Sequence, residues 1–114
     1  MAFSELELKR IEQTVGQLCL KRSPAPLKQQ LRLEYVVNGH EVRIVERRPR
    51  WDKPEQWSES PIAKLKFVRT IQQWQLYWQR ANLTWQGYEP CFSSPDVAAL
   101  VCEIDTDPHG CFFG

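Results

Sequence analysis

A chain of 114 residues, 42% of them hydrophobic, fits a single domain that buries its own core without staples. Lys and Arg total 15 against 14 Asp and Glu, a net charge of +1. That balance excludes a general basic coat for nucleic acid or membranes and leaves room only for a local patch.

The N-terminus MAFSELELKR lacks a basic segment followed by an apolar run, and no stretch approaches the roughly 18 apolar residues of a membrane span. A cytoplasmic protein with no membrane partner is expected. Cys19, Cys91, Cys102 and Cys111 are then expected as thiols.

Ser4 and Glu7 have the spacing of a capping box, with Phe3 and Leu8 placed for a hydrophobic staple. Leu8, Ile11, Val15, Leu18 and Cys19 recur at helical intervals, which predicts a helix over about 4–21. The prolines of Ser23–Pro26 end it.

Next comes LRLEYVV-NG-HEVRIVER, alternating runs on either side of Asn38-Gly39. A type I′ turn there predicts strands over about 31–37 and 40–48. It pairs Val37 with His40, Tyr35 with Val42, Glu34 with Arg43, and Leu33 with Ile44. Leu33, Tyr35, Val37, Val42 and Ile44 share one face; Arg32, Glu34, Glu41, Arg43, Val45 and Arg47 share the other.

Pro49 to Trp57 reads as a crossing loop, because Pro49 and Pro54 are unsuited to a strand interior. Alternation resumes over about 62–69, 73–80 and 83–88, with tight turns near Ile71-Gln72 and at Ala81-Asn82. Two-residue loops at both turns would put Leu65, Trp78 and Trp85 on one face, and Lys66, Tyr77 and Gln86 on the other. Ser94 as N-cap, Pro95 in the first helical position and Asp96 in the first turn then open a helix over about 95–105. Val97, Leu100, Val101 and Ile104 form its apolar stripe. The fold expected is α+β: an antiparallel five-stranded meander whose tryptophan-rich face is covered by an N-terminal and a C-terminal helix.

The opposite face, left to water, carries Arg32, Arg43, Arg47, Lys64 and Lys66 against Glu34 and Glu41, with Tyr77 and Tyr88 among them. Basic and aromatic residues interleaved on a sheet suit single-stranded nucleic acid, although any wet sheet face carries such residues. In the crossing loop, Arg47, Arg48 and Arg50 could form an anion clamp. Glu46, Asp52 and Glu55 lie beside them, however, so self-pairing is the plainer reading, with Trp51 and Trp57 pinning the loop. Arg47 is the arginine best placed to reach a ligand on the sheet.

No metal site or cofactor is expected. Cys91, Cys102, His109 and Cys111 are separated by ten, six and one residues, not in the close pairs zinc uses. Nucleophile and phosphate-loop motifs are also missing. Phe112 and Phe113 should fold back on the core or on a partner subunit, which could bring Asp105 and Asp107 near the arginine loop.

RPRWDKPEQW, KLKFVR, WQLYW, LTWQGYEP and DPHGCFFG together resemble a family of short bacterial proteins known as a domain of unknown function. The resemblance runs from FSELELKRIE to the final CFFG. It implies a small stand-alone bacterial protein and transfers no ligand, activity or catalytic residue. The residues themselves suggest a non-enzymatic binding module recognising a protein, a second copy of itself or a nucleic acid. Its candidate contacts are Arg43, Arg47, Arg48, Arg50, Trp51, Lys64, Lys66 and Tyr77. The alternative is a small enzyme whose loop arginines orient an anionic metabolite.

Overall fold

A computed structural model of the chain describes residues 3–22, 31–80 and 82–113. The helix terminator read at Ser23–Pro26 lies outside the described residues. The fold is α+β, as expected, with an antiparallel sheet of six strands.

The N-terminal helical rod comprises α1 (Glu5–Ile11), a π-helical turn (Glu12–Gly16) and α2 (Gln17–Lys21). Ser4 and Glu7 close the capping box in both directions. Phe3 stacks on Trp74, with ring centroids 5.4 Å apart, and Leu8 stays largely exposed, so Phe3 serves the core and not a staple. In the π turn, buried Thr14 donates its hydroxyl to the Arg10 carbonyl at 2.8 Å. Such back-bonding competes with the helical ladder. Ile11, Val15, Leu18 and Cys19 still point into the core.

The sheet runs β1 (Arg32–Asn38), β2 (Glu41–Pro49), β3 (Trp57–Val68), β4 (Gln73–Gln79), β5 (Trp85–Gly87) and β6 (Ser93–Ser94). Neighbours follow chain order from β1 to β5, while β6 pairs with β4 further along the edge that β5 occupies. A 3-10 turn at Glu89–Cys91 loops out between them. Helix α3 (Val97–Thr106) closes the chain's regular structure. Both helical segments cover one face, where Val42, Ile44, Ala63, Leu65, Phe67, Trp74 and Leu76 meet Val97, Leu100, Val101 and Ile104.

Several registers differ from the sequence reading. In the first hairpin Val37 pairs with Val42 and Tyr35 with Ile44. The two-residue loop is therefore Gly39-His40, because Gly39 takes the positive φ of 62° and Asn38 ends the strand. The slip is two residues and leaves both faces intact. Between β3 and β4 the loop is Arg69–Gln72, so Tyr77 pairs with Lys64, not Lys66. Between β4 and β5 it spans Arg80–Thr84, so Trp85 faces Gln79 and Gln86 faces Trp78. That odd shift moves Trp85 to the face opposite the helices and Gln86 off it.

Strand β3 starts at Trp57 and runs through Pro61. It can do so because the register breaks there: Ile44 pairs with Ala63 and Val45 with Pro61, leaving Ile62 unpaired. The supposed crossing loop is thus the tip of a long β2–β3 hairpin. Val45 falls on the open side yet is buried, flanked along β2 by the stems of Arg43 and Arg47. At α3 the N-cap is Asp96, whose carboxylate accepts from Ala98, and not Ser94, which belongs to β6.

The C-terminal aromatics do fold back. Phe112 packs on Tyr88 with centroids 5.0 Å apart, and Arg22 lies 3.7 Å over the Phe113 ring. Asp107, left-handed at φ 44°, caps α3 and accepts from the backbone of Phe112 and Phe113. Asp105 receives Lys21 at 2.6 Å and Arg22 at 3.2 Å. The tail is therefore tied to the end of α2, not to the arginines at the hairpin tip.

Candidate recognition surface

The hairpin tip neutralises itself. Arg48 donates to Glu46 at 2.6 Å, and Arg50 makes a forked pair with Asp52 at 3.1 and 3.0 Å. Arg47, at the base of the arm, lies 3.0 Å from Glu34 and 2.9 Å from Glu59. Its Nε is buried and approaches Glu34 outside hydrogen-bond geometry, so that contact is ionic only. Arg47 is thus held by two carboxylates of this chain, which lends no support to the expectation that it reaches a ligand. The tip backbone closes through Arg50 N–H to Gln56 and Gln56 N–H to Lys53, both 2.8 Å.

The tryptophans of this segment divide. Trp57 sits half-buried under the Arg32 guanidinium, 4.4 Å from the ring centroid, and anchors the arm. Trp51 is 95% exposed, so it pins nothing. Only a side chain whose strand neighbours can cover it becomes an anchor, and Trp51 lies past the last paired residue of β2.

At the other end of the open face, basic and aromatic groups converge. Arg43, Lys64, Tyr77 and Gly87 are successive cross-strand partners over β2, β3, β4 and β5. The missing side chain at Gly87 is filled by the Phe92 ring: a Cβ there would lie 2.7 Å from Phe92 Cε1. Phe92 in turn meets Tyr77 edge-on at 5.4 Å. The Lys64 ammonium stands 4.8 Å from the Tyr77 centroid and 5.0 Å from that of Trp85. Arg43 approaches Trp85 at 6.0 Å. Tyr77 donates its hydroxyl to Gln75 at 2.9 Å, which sets the ring's tilt.

Among the described residues, no carboxylate lies within ion-pairing distance of Lys64 or Lys66, and Arg43 touches Glu41 only at 3.6 Å. Charge is thus distributed unevenly: the β1 end pairs internally, whereas the β4–β5 end keeps cations beside partly exposed rings. Of the residues read from sequence, Arg43, Lys64 and Tyr77 come together here, with Lys66 one pleat further along β3. Arg47, Arg48, Arg50 and Trp51 belong to the arm. Trp85 and Phe92 were missed, the first through the loop length after β4 and the second because it lies between two short edge strands.

A family model described as Domain of unknown function (DUF3024) matches residues 3–114. The chain belongs to that family. No curated protein and no solved structure matches it.

Elsewhere in this DUF3024 chain, displaced titrations have structural causes. The Arg69 hydrogen bonds hold Glu7 down at about 2, the Ala98 amide and Arg10 lower Asp96, and Lys21 lowers Asp105. Burial raises the thiols of Cys19, Cys91 and Cys111, which disfavours the reactive thiolate. Cys102 is exposed. All four cysteines are free thiols. Among the described residues, no three metal-ligating side chains cluster, and no helix is long and apolar enough to cross a membrane.

Proposed function

We propose that this chain is a non-catalytic recognition module of the bacterial cytoplasm that engages a protein or nucleic-acid partner through its open sheet face. The observation that carries this reading is the cluster of Arg43, Lys64, Tyr77, Trp85 and Phe92. Among the described residues Lys64 has no carboxylate within ion-pairing distance and Arg43 has only Glu41 at 3.6 Å, and both stand beside aromatic rings that the fold leaves partly exposed. Trp51, held out at the arm tip, supplies a second point of contact of the kind that anchors interfaces.

The alternative enzyme needs loop arginines available to an anionic metabolite. Arg47, Arg48 and Arg50 each hold a carboxylate of this chain already, so the hairpin tip lends that alternative no support.

The test is capture from a native extract with three baits: wild type, Arg43→Glu/Lys64→Glu and Arg48→Ala/Arg50→Ala. Partners lost with the sheet-face variant and kept with the loop variant, at equal thermal stability, are the expected result. Identical capture by all three baits would refute the assignment.

A further inference from the structure

We infer that the open face binds single-stranded nucleic acid, with Tyr77 and Trp85 as stations for two neighbouring bases and Lys64 between them for the linking phosphate. This rests on the recognition reading above and names its partner.

The geometry is specific. One ammonium lies within 5.0 Å of both ring centroids, so the rings flank a single cation. A phosphate drawn to that cation brings the bases on either side of it to the two rings. Arg43, opposite Lys64 on β2 and 6.0 Å from Trp85, is placed for the next phosphate. Lys66 and Gln75 pair across β3 and β4 one pleat further on, adding a cation and an amide along the same path.

Energetics favour the exchange. In the free protein Lys64 rests on the ring faces, a contact of about 0.5–1 kcal/mol at an exposed site. Base stacking on an aromatic ring contributes about 1–3 kcal/mol per base, and the released ammonium gains a phosphate. Phe92, seated over Gly87, closes the platform against Tyr77. Rings lying on a sheet face need unstacked bases, so a duplex cannot use them. Arg43 and Lys64 are also too few to hold a duplex by charge alone.

The experiment is fluorescence anisotropy of the full chain with labelled oligo-dT and oligo-U of about twelve nucleotides, within the site sizes of single-strand binders. Both should bind at low salt, a duplex of the same length much more weakly. The slope of log affinity against log salt should be about −1.4 to −2.1, for two or three phosphates at about −0.7 each. Tyr77→Ala and Trp85→Ala should each weaken binding about 5- to 150-fold, the span of one lost base stack. Lys64→Gln should make the slope shallower by about 0.7 with the rings intact and the melting temperature unchanged. Absence of binding at low salt, or affinity unmoved by both aromatic variants, overturns the inference. Capture from extract that depends on Arg43 and Lys64 but survives nuclease would also overturn it, while leaving the recognition reading standing.

Discussion

Glu7 and Arg69 meet at 2.7 and 3.2 Å across 62 residues of chain, tying the first turn of α1 to the loop between β3 and β4. Arg69 also donates from Nε to His40 at 3.1 Å, so one guanidinium joins the helix cap to the tips of two hairpins. The contact sets how the protein responds to acid. Glu7 titrates at about 2 rather than its ordinary 4.5, with Arg69 the largest cause. His40 is shifted below 6.5, chiefly by burial, with the nearby Arg69 charge adding to it.

Both shifts have the same sign. A depressed folded value means the unfolded chain binds the proton more readily, so stability is full above the unfolded value and falls with acidification. Denaturant unfolding should therefore show stability declining below about pH 6.5 through His40, and again between 4.5 and about 2 through Glu7. Glu7→Gln should cost about 1 kcal/mol at neutral pH, given the pair's partial exposure, and should flatten the lower limb. An unchanged lower limb in that variant would remove Glu7 as its origin.

Alkaline behaviour runs the other way. Burial and the Glu103 hydrogen bond at 3.0 Å raise the Tyr88 phenol, and burial lifts Cys19 to about 12 from 9.0. The unfolded chain releases these protons first, so stability should fall as pH rises past about 9. Disulfide-exchange labelling at pH 8 should modify Cys102 first and Cys19 only on unfolding. Rapid labelling of Cys19 in the folded protein would contradict the packing.

The hairpin arm separates anchor from ornament. Trp51→Ala should change stability by no more than about 0.5 kcal/mol, as for exposed sites generally. Trp57→Ala loses its Arg32 contact and its half-burial and should cost about 1–2 kcal/mol. Equal melting temperatures for the two variants would mean the arm is not held as described.

Gly87→Ala tests the Phe92 seat. Its Cβ would stand 2.7 Å from Phe92 Cε1 and 3.0 Å from Cδ1, so the ring must lift. Overpacking at this half-buried site should cost about 1 kcal/mol. It should also shift the aromatic NMR resonances of Tyr77 while those of Trp74, across the sheet, stay put.

Much of this architecture is written in short-range pattern. The capping box, the stripe from Ile11 to Cys19 and the stripe from Val97 to Ile104 depend on the helical repeat alone, and each took the face predicted. Strand alternation likewise assigned Val42, Ile44, Leu65 and Leu76 to the core and Arg43, Lys64 and Tyr77 to the open face. The near balance of charges around Arg47, Arg48 and Arg50 already pointed to self-pairing. Glu59 as a partner did not stand out, because it lies in a stretch that reads as loop until the bulge at Ile62 admits Pro61 to β3.

Loop conformation was the part that local chemistry could not decide. Gln72 and Leu83 adopt φ of 52° and 67°, and neither residue type announces a left-handed turn. Those turns lengthen the loops before β4 and β5, and register follows loop length. The slips of two residues in the first hairpin and before β4 preserve every face. The odd slip before β5 carries Trp85 from the expected core to the side of Lys64 and Arg43. The sequence by itself determined the two helical segments and the paired centres of β1 to β5, since their periods are local properties, but not β6 or the first part of β3. Only the tertiary structure decided which aromatic rings stand beside which cations, because that depends on register, and a single residue of register inverts a strand.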